Sequence, residues 1–231
     1  MISLLTMAKR TVGSESSPEE ERFCQKAIKL NRRIWPDIPL KSGRFVVFDT
    51  ETTGLQCHKG DEMIALGAIV IENGELTGER FSQLINPCRE IPALATEITG
   101  ITSDMVAEAP NFFTVVEQFL EFSQPGFLVA HNGAFDLAFM SQKLRKSCGC
   151  KFRPALLDTY ILSHLLAPMR RSHSLDALAT SYNLALEGRH TALGDSLITG
   201  KLFLRMVDDL LAKGIYSTGH LFEYLQFRRL L

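Results

Sequence analysis

Arg44-Phe45-Val46-Val47-Phe48-Asp49-Thr50-Glu51-Thr52-Thr53-Gly54-Leu55 is the stretch on which the reading turns. Its first half is apolar and β-branched, the composition of a buried strand. It then runs into acid. Residues i and i+2 of an extended strand share a face, so Asp49 and Glu51 can reach one centre. Thr52-Thr53-Gly54-Leu55 follows as a tight turn, offering hydroxyls and backbone N–H groups beside the two carboxylates. The plain alternative is two solvated acids at a strand end, with Leu55 simply packing.

Outward from this strand, Met63 to Ile71 reads as a second strand. Asn73-Gly74 is a hairpin signal, because both residues tolerate positive φ, and it leads into a run to Ile85. Phe112, Val115, Val116, Phe119 and Leu120 recur at helical spacing. Phe127-Leu128-Val129-Ala130 is another strand, leading to a helix from about Phe135 to Lys146. Ala155 to Asp158 reads as a short strand followed by helical segments. Leu193 to Leu211 is a long amphipathic helix, and a last helix starts near Thr218. This order predicts an α/β fold with a mixed sheet. Its parallel part should hold ligands at the carboxyl ends of strands, where Asp49 and the His131-Asn132 turn are expected.

Three further residues join the two acids. Asp136 opens the helix after the His131-Asn132-Gly133-Ala134-Phe135 turn, where an acid also suits the helix dipole. Asp195 lies at the start of the long helix, and His190 precedes it on what reads as a flexible segment. A histidine titrates near neutrality and suits a general base, though a surface histidine is the simpler reading of His190 alone. Clustered carboxylates repel one another and lose hydration, so a divalent cation is their natural counter-charge. Two such cations and one base are the parts of a phosphodiester hydrolase.

The composition permits this and excludes other classes. The chain has 231 residues, 45% hydrophobic and 22% charged, enough for one domain with a full core. Net charge is −1, but residues 1–44 hold nine Lys/Arg against five Asp/Glu. The rest is acidic, as a carboxylate-rich site requires. Five scattered cysteines argue against a disulfide framework, and Cys148-Gly149-Cys150 has no second pair at zinc spacing. The apolar start Met1–Met7 is too short for a signal peptide, and no stretch approaches a membrane span, so a cytoplasmic location is expected. Residues 1–20 are polar and read as disordered. Ser17-Pro18-Glu19-Glu20 is a helix start, and Phe23, Ala27, Ile28 and Leu30 give it an apolar stripe. That helix either packs on the core or binds a partner. The expected division is an extension over 1–43, a catalytic domain over 44–212 and a helical tail over 213–231. Lys143, Arg145, Lys146, Arg170 and Arg171 are available for a phosphate track or are solvated surface.

Together the motifs resemble the DEDDh exonucleases, the group that includes the epsilon proofreading subunit of bacterial DNA polymerase III. The resemblance covers residues 44–212. It rests on Phe48–Leu55, Glu97-Ile98-Thr99-Gly100-Ile101-Thr102, His131–Asp136, Leu157-Asp158-Thr159, and His190 with Asp195, all in the family's order. Tyrosine-type cousins carry Tyr four residues before the last Asp. Here Thr191 stands there and His190 stands five before, which indicates the histidine branch. The resemblance implies a ribonuclease-H-like mixed five-stranded sheet flanked by helices. It implies that Asp49, Glu51, Asp136 and Asp195 bind two Mg²⁺ or Mn²⁺ ions and that His190 deprotonates the attacking water. Nucleoside 5′-monophosphates would leave from the 3′ end of single-stranded DNA. Thr52, Thr53, Leu55, Thr99, Gly100, Ile101, His131, Asn132 and Phe135 would line the nucleotide site. Asp158 is a structural candidate.

Some features depart from the replicative member. No clamp-binding segment follows the catalytic region, and the tail ends at Phe227-Arg228-Arg229-Leu230-Leu231. A stand-alone enzyme of repair or end-trimming is thus as fitting as a proofreading subunit. Two alternatives remain open at this stage: the same chemistry on RNA ends or oligoribonucleotides, and a polymerase-associated subunit whose main role is partner binding.

Overall fold

The computed structural model describes residues 17–31, 36–228 and 230. The expected disorder before Ser17 lies outside them. A five-stranded sheet runs in the order β3-β2-β1-β4-β5. Its strands are β1 Phe45–Thr52, β2 Met63–Glu72, β3 Glu75–Leu84, β4 Phe127–Ala130 and β5 Leu156–Asp158. The helices are α1 Pro18–Leu30, α2 Ala93–Thr99, α3 Ser103–Val106, α4 Phe112–Phe122, α5 Ala134–Cys148, α6 Thr159–Leu166, α7 Leu175–Ser181, α8 Ala192–Ala212 and α9 Thr218–Phe227. β1–β2 and β2–β3 pair antiparallel, while β1–β4 and β4–β5 pair parallel. The hairpin turn is where Asn73-Gly74 placed it, with φ of 54° and 78°.

Alternation along β1 divides the core. Val46 and Phe48 pack on one face with Phe23 of α1, Phe119 of α4 and Met140 of α5. Phe45 and Val47 pack on the other with Leu162 of α6 and Phe203 of α8. Burying two faces explains the unbroken apolar runs in β1 and β2. β3 is the exposed edge and carries charged residues such as Glu75, Glu79 and Arg80.

The expected end of β1 at Asp49 needs correction. The strand continues to Thr52 because β2 pairs with it throughout. Its parallel ladder with β4, however, stops at the Val47–Val129 pair. From Asp49 onward β1 has a neighbour on one side only, and that gap is the crevice.

α1, left open between core and partner, packs on the core: Phe23 and Ala27 are fully buried, and Arg22 and Lys26 pair with Glu117 of α4 at 2.9 and 3.1 Å. The segment after it joins the other flank of the chain. Leu40 N–H donates to Tyr216 O, Ile38 N–H to the Thr218 hydroxyl, and Gly219 N–H to Asp37.

Gly67 of β2 is paired with Asp49 and lies under the start of α8. A Cβ there would stand 2.3 Å from Leu193 N, so only glycine lets the helix approach this closely. The Ser196 hydroxyl locks the approach by donating to Gly67 O at 3.0 Å. Gly67→Ala must push α8 off the sheet. We expect a loss of about 1–3 kcal/mol, as for overpacking, read as about 2–4 °C of Tm per kcal/mol in a chain of this size. A melting curve unchanged from wild type would refute the close-approach role.

Candidate active site

Continuing the alternation of β1 beyond Val47 sorts the acids. Asp49 and Glu51 stay on the α8 face, where Asp195 sits in the first turn of that helix. Ligand oxygens of Asp49, Glu51 and Asp195 all lie within 4.8 Å of one another. Thr50 points to the opposite face and donates its hydroxyl to Oδ1 of Asp136, in the first turn of α5. Asp136 thus stands outside that triplet. Its charge nevertheless acts on Asp49.

Burial and mutual repulsion govern this cluster. Burial, then the charges of Asp136, Asp195 and Glu51, holds the Asp49 carboxyl well above the usual range. Burial, then Asp195, pushes Glu51 up to about 7. Burial pushes Asp136 up to about 7 against the lowering bond from Thr50. Asp195 is raised by burial while Arg189 opposes the shift. Oδ1 of Asp195 is buried with no hydrogen-bond partner. A buried acceptor with nothing to accept from, on a residue grouped with two more carboxylates, fits a hard cation with oxygen ligands.

The two histidines differ sharply. His131, at the carboxyl end of β4, is held by Thr159 Oγ1 at 2.9 Å from Nδ1. Burial, then the nearby Arg189 charge, pushes it down to about 4. His190 is exposed and has a φ of 65°. It sits in a closed turn rather than the expected flexible segment: Thr191 N–H and its hydroxyl both donate to Gly188 O, and the same hydroxyl caps α8 by accepting from Gly194 N–H.

The remaining candidates are placed as follows. Leu55 is 81% exposed. Thr52 donates to Gly54 O at 2.7 Å, whereas Thr53 is buried, with its hydroxyl spent on Asp61 and Glu62 N–H. Thr99 closes the end of α2 through Ala95 O and Ile101 N–H, Gly100 caps it at φ 73°, and Ile101 is buried. Asn132 is exposed in the left-handed region at φ 57°, and Phe135 packs on Phe139 at 5.2 Å between ring centroids. Asp158 is structural, accepting from the backbone N–H groups of Asn132, Gly133 and Tyr160 and so fixing the turn below His131. In the basic group, Lys143 pairs with Glu62 at 2.7 Å and Arg170 donates to Ala177 O.

Three residues escaped the reading of the sequence. Thr50 positions Asp136, Gly67 admits α8, and Arg189 bridges Asp195 to Asp176. Only Gly67 carried a signal, a glycine inside an otherwise apolar strand.

Carboxylates from both faces of a mixed sheet, gathered where one strand loses its neighbour, are a donor set suited to metal-assisted hydrolysis. Residues 46–203 match the family model RNase_T, Exonuclease, and the chain belongs to that exonuclease family. Over 186 residues it is 44% identical to a DNA polymerase III subunit epsilon-like protein of Rhodobacter capsulatus, covering 79% of this chain and 26% of that protein. Over 167 residues it is 39% identical to the 3′-5′ exonuclease DinG of Bacillus subtilis, covering 72% of this chain and 18% of that one. The chain therefore spans about a quarter or less of either relative. The fold matches that of the nuclease domain of 3′hExo, a DEDDh family member, solved bound to rAMP. The TM-score is 0.64 at 18% identity, over 73% of this chain and 93% of that one. The ribonuclease-H-like sheet expected from the motifs is present. Exonucleases of this family are metal-dependent, and the acidic group that dependence requires is in place. No helix among the described residues is long and apolar enough to cross a membrane.

Proposed function

We propose that this protein is a 3′→5′ exonuclease that releases nucleoside 5′-monophosphates from the 3′ end of single-stranded DNA. Asp49, Glu51, Asp136 and Asp195 are its ligands for two Mg²⁺ or Mn²⁺ ions. The observation that carries this is the convergence of Asp49, Glu51 and Asp195 within 4.8 Å, with Oδ1 of Asp195 buried and unpartnered. Carboxylate-only ligation suits hard divalent cations rather than zinc or copper. When bound, such ions stabilise charge on the attacking and leaving oxygens of an in-line displacement.

The chain's own residues do the rest. His190 takes the proton of the attacking water on its imidazole. The water oxygen bonds to phosphorus as the P–O3′ bond breaks, releasing the nucleoside 5′-monophosphate, and the leaving 3′ oxygen takes a proton from solvent to become a 3′ hydroxyl. Thr50 keeps the Asp136 carboxylate turned into the crevice, and Asp158 holds the backbone of Asn132 and Gly133 that supports His131. Leu55, exposed to solvent, would wedge against the terminal base, with Thr52 and Asn132 also lining the nucleotide site. DNA is favoured over RNA because one similar protein is named an epsilon-like subunit of a DNA polymerase. The same likeness makes a polymerase subunit the candidate partner, and repair or end-trimming the role of an enzyme acting alone.

The test uses matched DNA and RNA single strands labelled at either end, with Mg²⁺ or Mn²⁺. Progressive shortening from the 3′ end, faster on DNA, is the expected result. Shortening from the 5′ end would overturn the polarity, and a preference for RNA would overturn the substrate.

A further inference from the structure

Among the described residues, Arg189 joins the acid cluster to its surroundings by ion pairs to Asp195 and Asp176. Its Nε donates to Oδ1 of Asp176 at 2.7 Å and its Nη2 to Oδ2 at 3.2 Å, a two-point grip. Its Nη1 donates to Oδ2 of Asp195. The same Nη1 lies 3.3 Å from Nδ1 of His190. A guanidinium has no acceptor, so this contact makes Nδ1 the acceptor and leaves the proton of a neutral ring on Nε2. The side chain is only 24% exposed. Arg189 thus supplies the positive charge that the cluster needs when no cation is bound.

We propose that Arg189 is a resident counter-ion of the carboxylate cluster, one that releases Asp195 and withdraws onto Asp176 when divalent cations load. This rests on the metal-binding reading above. A guanidinium and a divalent cation on the same carboxylate repel one another, and the low dielectric of the crevice strengthens that repulsion. One of them must yield. Arg189 has a place to go, because two of its nitrogens already hold Asp176, in the first turn of α7. Withdrawal frees two groups at once, Oδ2 of Asp195 and Nδ1 of His190. Arg189 is therefore a positioning residue: it holds Asp195 before loading and sets the threshold at which cations enter. Asp176 acts mainly through it, and its own charge reaches Asp195 only weakly.

The test is calorimetric titration of the full chain with Mn²⁺ at pH 8, together with melting of the metal-free protein. Arg189→Met should tighten Mn²⁺ binding by about five- to tenfold, the lower range of coupling between sites. It should also lower the metal-free Tm. Arg189→Lys, which keeps the charge, should bind Mn²⁺ like wild type. Asp176→Asn removes the parking place and should weaken binding. The double variant Asp176→Asn/Arg189→Met should lie close to Arg189→Met alone, because the direct charge of Asp176 on Asp195 is the smaller effect. Should Arg189→Met fail to fold, Arg189→Gln retains a donor for Asp195 without the charge and should tighten binding likewise. Unchanged or weaker binding in the charge-removing variants, or additive effects in the double variant, would overturn the proposal. A wild-type protein that binds no Mn²⁺ would sink the metal reading and this inference together. Wild-type binding that ignores Arg189 would sink this inference alone.

Discussion

Asp49→Asn is expected to lower the turnover of single-stranded DNA by about 10³-fold or more, while raising the Tm of the metal-free protein at pH 8. The two effects share one cause. Asp49 sits where β1 has lost its β4 neighbour, with Asp136, Asp195 and Glu51 around it. In the proposed ligand role it would stabilise bound cations, and losing a contribution of several kcal/mol costs about tenfold in rate for each 1.4 kcal/mol. Without cations the same carboxylate is a liability. Burial and its acidic neighbours raise its folded-state pKa well above the ordinary value. For a raised acid, the folded state holds its proton more tightly than the unfolded chain. Stability is therefore undiminished below the unfolded pKa, near 4, falls as pH climbs toward the folded value, and stays low above it. Glu51 and Asp136, both pushed up to about 7, act in the same direction over about pH 4 to 7. The metal-free wild type should consequently melt lower at pH 8 than at pH 5, and the gain from Asp49→Asn should appear at pH 8 and vanish at pH 4. Each kcal/mol recovered reads as about 2–4 °C. Saturating Mn²⁺ should lift the wild type more than the variant, because binding to the folded state adds stability by mass action. A variant that melts below wild type at pH 8, or that retains activity within tenfold, would contradict the role given to Asp49.

The opposite signs explain what the sequence could and could not disclose. Asp49 and Glu51 were legible because strand alternation is local and needs no knowledge of the rest of the fold. Asp195 was legible because it opens a helix whose apolar positions fix its facing. Thr50 was not: alternation sends it away from Asp49, and its value appears only when α5 brings Asp136 to that other face. Arg189 was hidden for a related reason. It neighbours His190 in sequence, but its partner Asp176 lies thirteen residues back, across a connection with no periodic pattern. The run of β1 past Asp49 was misjudged because acids are poor strand formers, and antiparallel pairing with β2 overrides that preference. α1 shows the same limit. Its apolar stripe was readable, but its pairing with Glu117, ninety-five residues away, was not. Local periodicity located the elements; the contacts that complete the site are long-range and polar.

His190→Gln is expected to lower the rate of the chemical step by about 10²–10⁴-fold, the usual worth of a general base, and to leave Mn²⁺ affinity near that of wild type. The turn that carries His190 is built to project the ring. Its φ of 65° lies in the left-handed region, uncommon for a side-chain-bearing residue, and the surrounding bonds hold it there. Gly194 permits this closure, since a Cβ at that position would meet Gly188 O at 1.9 Å. The imidazole emerges exposed, beside the helix turn that bears Asp195. His131 is the rival base, and its environment argues against it. Its ring is fixed by Thr159, and its pKa is pushed down to about 4, which makes it too weak a base to draw a proton from water efficiently. Its position suits a neutral hydrogen-bonding group beside the nucleotide. His131→Gln should therefore weaken substrate binding more than it slows turnover. Single-turnover rates with added imidazole separate the two histidines. A small soluble base should restore part of the activity of His190→Gln, because that site is open to solvent, and none of the activity of His131→Gln. If imidazole rescues the His131 variant instead, or if His190→Gln turns over like wild type, the base has been placed on the wrong side of the crevice.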